Sequence, residues 1–227
     1  MLDRYTITLS QDELTLVLGV EVPHEYEPQY NAAPTKSLPV ITSRRAERIT
    51  FQKWGLMTMW SKNKAMSPKF FNLPLDYVLN KPSHQKKLRS NRCIIPMDGF
   101  YLWKTVAKKQ QVPHYFSYPD KKVFYVAGIW EETDENVNSF IMITRESTEQ
   151  IASFQEDMPC ILDPGSIKSW LASEDVEELT HLLRKAPNQQ FNSHTVSPII
   201  GDIDKNDVSF IKPAPASDQH GNYTLFT

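Results

Sequence analysis

The stretch from residue 92 to residue 144 constrains the fold of this chain more than any other part of the sequence. The runs 92–97, 100–105, 115–118, 123–130 and 139–144 are short and rich in β-branched and aromatic residues. Runs this short and this closely spaced leave no room for crossover helices, so neighbouring strands must pair mainly antiparallel. Asp98-Gly99, between the first two runs, has the chemistry of a tight turn. Helical patterns lie on either side of this block rather than between its strands. The fold class that follows is α+β, a curved, barrel-like and mainly antiparallel sheet flanked by short helices.

The flanks can be read in the same way. Residues 5–9 alternate as a strand. Ser10 and Glu13 form a capping box that opens a helix over 11–18, and Gly19 closes it. Residues 20–37 hold Pro23, Pro28 and Pro34 and read as an extended loop. Strands are expected at 38–42 and 48–54, and 81–91 suits a helix. Further helices are expected at 147–154, 165–171 and 174–185, with strands at 158–162 and 192–197. The tail from Pro213 is rich in Pro, Ser, Asp and Gly and reads as loose. The chain of 227 residues is thus expected to be one domain over 1–212 and a loosely ordered tail over 213–227.

Several function classes are excluded at this stage. Cys93 and Cys160 are 67 residues apart, which suits neither a disulfide scaffold nor a zinc spacing. Two cysteines point to a reducing, cytoplasmic setting. No run approaches the roughly 18 apolar residues of a membrane span, and the charged start at Asp3 and Arg4 is no signal peptide. Seven glycines and no Gly-rich loop argue against a phosphate cradle, so neither a cofactor nor a metal is expected. Cys93 and Cys160 sit in apolar runs and read as buried thiols, and His194 reads as a packed strand-end histidine. A nucleophilic Cys–His pair stays open on these grounds.

The formal net charge of −2 hides an asymmetry. Residues 1–34 carry one cation and six carboxylates, residues 35–109 carry 16 cations and three carboxylates, and residues 110–227 carry eight cations and 18 carboxylates. A net +13 middle third is either the footprint of a polyanion or a solvated basic face beside acidic neighbours.

Six blocks appear in order along the chain. They are Tyr30-Asn31-Ala32-Ala33-Pro34-Thr35, then Trp54-Gly55-Leu56-Met57 with Trp60, then the run from Arg92 to Lys104 around Pro96-Met97-Asp98-Gly99-Phe100-Tyr101. Val126-Ala127-Gly128-Ile129-Trp130-Glu131, Met158-Pro159-Cys160-Ile161-Leu162 and Thr195-Val196-Ser197 complete the set. Together they resemble the SOS response-associated peptidase (SRAP) family of abasic-site processing proteins, over residues 1–212. The resemblance implies an α+β barrel-like domain with a basic groove for single-stranded DNA. It also implies a mechanism in which a cysteine at position 2 condenses with the ring-opened aldehyde of an abasic site to give a thiazolidine. In that mechanism an Asn positions the chain start and the sugar, and a Glu and a His handle protons. The same cysteine accounts for the peptidase name.

This chain departs from that pattern at the chemical positions. Position 2 is Leu2, with no thiol, and Asp3 stands where the family has glycine. The family Glu is Leu102, the family His is Gln155, and two arginines expected to meet phosphate are Pro74 and Asp157. Asn72 is retained. A hydrocarbon at Leu102 moves no proton, and each lost arginine weakens binding and flattens its salt dependence.

Asn31, Pro34 and Asn72 fall where the family lines its groove, and Asn31 also suits a turn or cap. Trp60 and Trp103 either stack on bases or belong to the core. Lys62, Lys64, Lys69 and Arg92, with Lys81, Lys86, Lys87 and Arg89, fit a groove rim or a solvated face.

Three readings follow. The first is a catalytically degenerate SRAP-like protein that still binds single-stranded or abasic DNA. The second is a protein-interaction or small-ligand module, with Leu2, Leu73, Leu75 and Leu102 making the old site apolar. The third is an enzyme using the Met1 amine for Schiff-base chemistry, or a rewired Cys160 thiol near Gln155.

Overall fold

A computed structural model describes residues 2–55, 70–107, 109–132, 138–187 and 189–224, apart from the Lys121 side chain. The chain starts with strand β1 (Tyr5–Ile7) and helix α1 (Gln11–Leu18). Both halves of the capping box form: the Ser10 side chain accepts from the Glu13 amide, and Glu13 accepts from the Ser10 amide at 2.8 Å. Gly19 ends the helix in the left-handed region with φ 65°.

Strand β2 (Gln29–Ala32) lies inside the stretch read as loop, because the prolines bracket four pairing residues rather than interrupt them. Then come β3 (Ser37–Thr42), β4 (Arg45–Trp54), β5 (Asn72–Pro74) and the helices α2 (Leu75–Asn80) and α3 (Pro82–Ser90). The central block is β6 (Arg92–Met97), β7 (Gly99–Ala107), β8 (Gln110–Ser117), β9 (Phe124–Glu132) and β10 (Asn138–Glu146). Helix α4 (Glu149–Ala152) leads to β11 (Asp157–Pro159) and β12 (Ile161–Leu162), which divide the single strand expected there. Helices α5 (Ile167–Ala172) and α6 (Val176–Arg184) and strand β13 (Asn192–Thr195) follow.

Among the described residues these strands form two sheets. One runs β13-β8-β7-β1-β2. The other runs β11-β10-β4-β3-β6-β9-β12, with β5 also paired to β10. Because β10 pairs with both β4 and β9, the strands β10, β4, β3, β6 and β9 close into a ring. Closure removes the open edges that a curved sheet would otherwise present. The barrel-like α+β class expected from the sequence is therefore the fold of this chain.

The two strands joined at Asp98-Gly99 do not pair with each other. β6 pairs with β3 and β9, whereas β7 pairs with β1 and β8, so the chain crosses from one sheet to the other at Asp98. Gly99 is needed for a close approach: a Cβ there would lie 2.1 Å from the Tyr115 hydroxyl oxygen. Asp98 ties the crossing to β1. Its carboxylate accepts from the Thr6 hydroxyl at 2.5 Å and from the Thr8 amide and hydroxyl at 2.6 Å each.

Side chains from both sheets meet in one core. Trp54 takes Tyr5 edge-on at 5.4 Å and stacks on Phe140 at 6.4 Å. Phe100, Phe116, Phe124 and Phe191 form a second aromatic knot. Each such side chain contributes on the order of 2–3 kcal/mol by leaving water.

Up to residue 224 the tail makes hydrogen bonds of its own. Ala214 N–H donates to the Thr195 carbonyl at 3.0 Å, and buried Asp218 accepts the His220 and Asn222 amides at 3.0 and 2.9 Å. Asp218 thus caps a turn within the tail.

Candidate nucleic-acid interface

The start of the chain is held between two strands. Tyr5 faces Phe100 and Thr6 faces Gly99 across β1 and β7, and the Tyr101 amide donates to the Arg4 carbonyl at 3.1 Å. On the other side β5 runs parallel to β10, with Asn72 beside Met142. From there the Asn72 side-chain amide donates to the Leu2 carbonyl oxygen at 2.5 Å.

Leu2 and Leu102 are each only 1% exposed and lie in the main core. They fill the space that a thiol and a carboxyl would occupy and pack among the core side chains. Beside them three polar atoms are enclosed without a protein partner: Asp3 Oδ1, Arg4 Nε and Asn72 Oδ1. Arg4 Nη1 donates to the Asp3 carbonyl at 2.7 Å and lies 3.4 Å from Asp3 Oδ2. Burial raises the Asp3 carboxyl above its ordinary value, while the charges of Arg4 and of the chain terminus pull the other way. Two acceptors and one guanidinium N–H are thus left without a partner at the start of the chain and on β5, and a sugar hydroxyl or a phosphate oxygen has the chemistry to pair with them.

Next to this cluster lies a cleft of about 860 Å³, lined in part by Pro74, Arg145, Ser147, Glu156, Asp157 and Arg184. Pro74 and Asp157 are the two positions where the family resemblance implies phosphate-binding arginines. The pairings of β10 with β5 and β11 bring them together: Thr144 lies beside Pro74 and Glu146 faces Asp157. Arg145 and Arg184 are cations in the same cleft, and Arg145 Nη1 donates to the Arg184 carbonyl at 2.8 Å. Gln155, in the family histidine position, donates to the Asp157 carbonyl and so braces the cleft wall.

Other residues read from the sequence have different places. Arg92 is not on a groove rim. It is 2% exposed, and its guanidinium donates to the carbonyls of Leu88, Arg89, Trp170 and Leu171, closing the ends of α3 and α5. Asn31 is also buried rather than facing a strand of DNA; its amide donates to the carbonyls of Ile200, Asp202 and Lys205 at 3.3, 2.9 and 3.0 Å. Pro34 is half-buried ahead of Thr35, whose φ is 74°. Trp103 is half-buried against the cluster of Tyr101, Tyr115, Val196, Ile200 and Phe210. Trp60, Lys62, Lys64, Lys69 and Met1 lie outside the described residues.

Lys81, Lys86 and Arg89 are exposed on or beside α3, whereas Lys87 pairs with Glu131. Cys93 and Cys160 are buried, and burial raises the Cys93 thiol and pushes Cys160 up to about 12. A thiol so protonated and enclosed is inert, so the rewired Cys160 nucleophile is not supported. His194 packs edge-on to Tyr115 and shares a hydrogen bond of 3.0 Å with the Ile211 carbonyl.

Sequence reasoning missed Arg145, Arg184 and the unpartnered Arg4 Nε, because β5, β10 and α6 meet only in the fold. Among the described residues no group of three or more His, Cys, Asp or Glu is placed to hold a metal ion, and no helix is long and apolar enough to cross a membrane.

A closed α+β barrel with a polar cluster at its chain start and a charged cleft beside it defines the class of protein. The family model described as SOS response associated peptidase (SRAP) matches residues 1–203, and the chain belongs to that family. It is 29% identical over 222 residues to the abasic site processing protein YoqW of Bacillus subtilis, covering 93% of this chain and 99% of that protein. It is 27% identical to the abasic site processing protein HMCES of Rattus norvegicus, covering 85% of this chain and 67% of that protein. A crystal structure of a protein from Bacteroides thetaiotaomicron superposes with a TM-score of 0.80 at 20% identity, covering 93% of this chain and 99% of that one. That likeness concerns the fold.

Proposed function

We propose that this protein binds single-stranded DNA at abasic sites and does so without forming the thiazolidine crosslink. The observation that carries the reading is the cluster of enclosed, unpartnered polar atoms on Asp3, Arg4 and Asn72, beside the Asn72–Leu2 hydrogen bond. Unsatisfied polar atoms at one spot need a polar partner, and a sugar-phosphate with no base supplies hydroxyls and phosphate oxygens. Its relatives are named abasic site processing proteins, which supports the same substrate. Leu2 supplies no sulfur for a thiazolidine, and Leu102 and Gln155 supply no proton relay. Exposed Lys81, Lys86 and Arg89 supply cations that steer a polyanion, while in the cleft Arg145 and Arg184 stand among the carboxylates of Asp76, Glu146, Glu156 and Asp157.

The reading as an apolar ligand module fits less well, because Leu2 and Leu102 are spent in the core. Two buried, unbonded thiols support a reducing, cytoplasmic setting. The direct test is Leu2→Cys, incubated with a single-stranded abasic oligonucleotide. A crosslink that survives heating and forms only in the variant supports a groove that still seats the substrate. A variant that neither binds nor crosslinks the oligonucleotide contradicts the reading.

A further inference from the structure

Two exposed features of opposite charge have complementary chemistry. The first is a groove of about 370 Å³ beside β3 and β4, walled by Glu25, Glu27, Gln29, Ser37, Pro39 and Phe51. A space of that size holds one aromatic ring and a few atoms beside it. Its floor is apolar, because Pro39 and Phe51 face each other across the two strands. Its rim is acidic. Glu25 and Glu27 are exposed, and among the described residues neither carboxylate has a hydrogen-bond or ion-pair partner. The wall holds no cation, and Lys53, across from Ser37, is outside it.

The rim is held in place before any partner arrives. Tyr26, between the two glutamates, is buried, and its hydroxyl bonds to the carbonyls of Ile7 and Leu9 at 3.2 and 2.9 Å. Asn206 fixes the next residues: it accepts the Tyr30 amide at 2.7 Å and donates to the Pro28 carbonyl at 3.0 Å. A preorganised rim loses little freedom when something docks.

The second feature is on α2. Tyr77 is 54% exposed, and the Lys81 ammonium lies 5.0 Å from the centre of its ring. His84 Nδ1 bonds to the Tyr77 carbonyl at 2.9 Å and Gln85 donates to the Leu79 carbonyl, so the corner between α2 and α3 is also fixed. A ring that carries an ammonium is the complement of the groove: the ring suits Pro39 and Phe51, and the ammonium suits the two glutamates. The wider charge pattern agrees. Residues 1–34 carry one cation and six carboxylates, whereas residues 35–109 carry 16 cations and three carboxylates. Neither Tyr77 nor Lys81 is in the wall of the groove of its own chain.

We propose that the groove of one copy receives Tyr77 and Lys81 of a second copy, so that the protein associates with itself through two different patches. Such contacts grow into chains or rings, unless two copies exchange both patches at once. Lys86 and Arg89 are left to steer a strand. The contact is separate from the Asp3–Arg4–Asn72 cluster and does not depend on the abasic-site reading.

The test is sedimentation velocity of the nucleic-acid-free full chain, from micromolar to near-millimolar concentration, at low and at high salt. Tyr77→Ala removes the ring and keeps the groove. Glu25→Lys with Glu27→Lys reverses the rim and keeps the ring. The expected result is association that rises with concentration and weakens with salt. It should be at least about tenfold weaker in either variant, as for the loss of an anchoring aromatic or its pocket. Mixed in equal amounts, the two variants should form a dimer and nothing larger, since one supplies only the groove and the other only the ring. That dimer also shows that both variants are folded.

A wild-type chain that stays monomeric at low salt overturns the proposal. Association undiminished in both variants overturns it as well, and so does a mixture that associates no better than either variant alone. A lysine–tyrosine copolymer that binds a monomeric wild type, and not the Glu25→Lys, Glu27→Lys variant, assigns the groove to a different basic partner and overturns self-association. Loss of abasic-oligonucleotide binding with association intact overturns only the abasic-site reading.

Discussion

Asn72 Nδ2 lies 2.5 Å from the carbonyl oxygen of Leu2, joining β5 to the start of the chain across 70 residues of sequence. The contact uses the backbone of residue 2, not its side chain. It therefore persists although the residue is leucine. Asn72→Ala removes a buried donor and leaves the Leu2 carbonyl without it, a loss of about 1–3 kcal/mol. Urea denaturation checks this, and an unchanged midpoint contradicts the tether.

Asp98 should make stability depend on pH in a defined direction. Burial holds its carboxyl above the ordinary 3.8 despite the hydrogen bonds from Thr6 and Thr8. Above 3.8 the unfolded chain has released a proton that the folded chain still holds. The unfolded state then binds fewer protons, so the stability from this group falls as pH rises from 3.8 through the folded pKa. Other groups cancel in the difference between wild type and Asp98→Asn. That difference should decline over this window in denaturation curves taken at several pH values. A difference that grows with pH means the hydrogen bonds outweigh burial.

Arg92 should matter for stability and not for DNA. Its guanidinium is buried and bonded to carbonyls at the ends of two helices. Lysine cannot reproduce that fork, so Arg92→Lys should cost about 2–4 kcal/mol while leaving the salt dependence of oligonucleotide binding unchanged. A flatter salt dependence at unchanged stability would return Arg92 to the groove.

The fate of Arg92 illustrates what the sequence conveyed and what it did not. Strand 92–97 was legible residue by residue, because pattern and propensity are local. Whether its arginine faced water depended on α5 arriving 78 residues later with the Trp170 carbonyl. Asp98-Gly99 shows the same limit. The pair has turn chemistry, but the strands it joins belong to different sheets, and the glycine is set by the Tyr115 hydroxyl. Of the candidate site, Leu2, Asn72, Leu102, Pro74, Gln155 and Asp157 were legible through the family motifs. Arg145, Arg184 and the enclosed Arg4 Nε were not, since nothing local marks residues that converge only through the pairing of β5, β10 and β11.

Charge in the cleft should be adjustable. Asp157 stands on the cleft wall, and its backbone carbonyl, not its side chain, accepts from Gln155. Asp157→Arg replaces a repelling carboxylate with a phosphate partner. Affinity for single-stranded DNA should rise, and the slope of log affinity against log salt should steepen by about 0.7. Fluorescence anisotropy across a salt series measures both, and an unchanged slope places the strand elsewhere.

The central claim is retained recognition without the covalent step. The most direct measurement incubates the wild-type protein with a labelled single-stranded abasic oligonucleotide and runs the mixture on native and heated denaturing gels. The account expects a native complex that weakens steeply with salt and no adduct after heating. A heat-stable adduct of the wild-type chain, in which residue 2 is leucine, would contradict it.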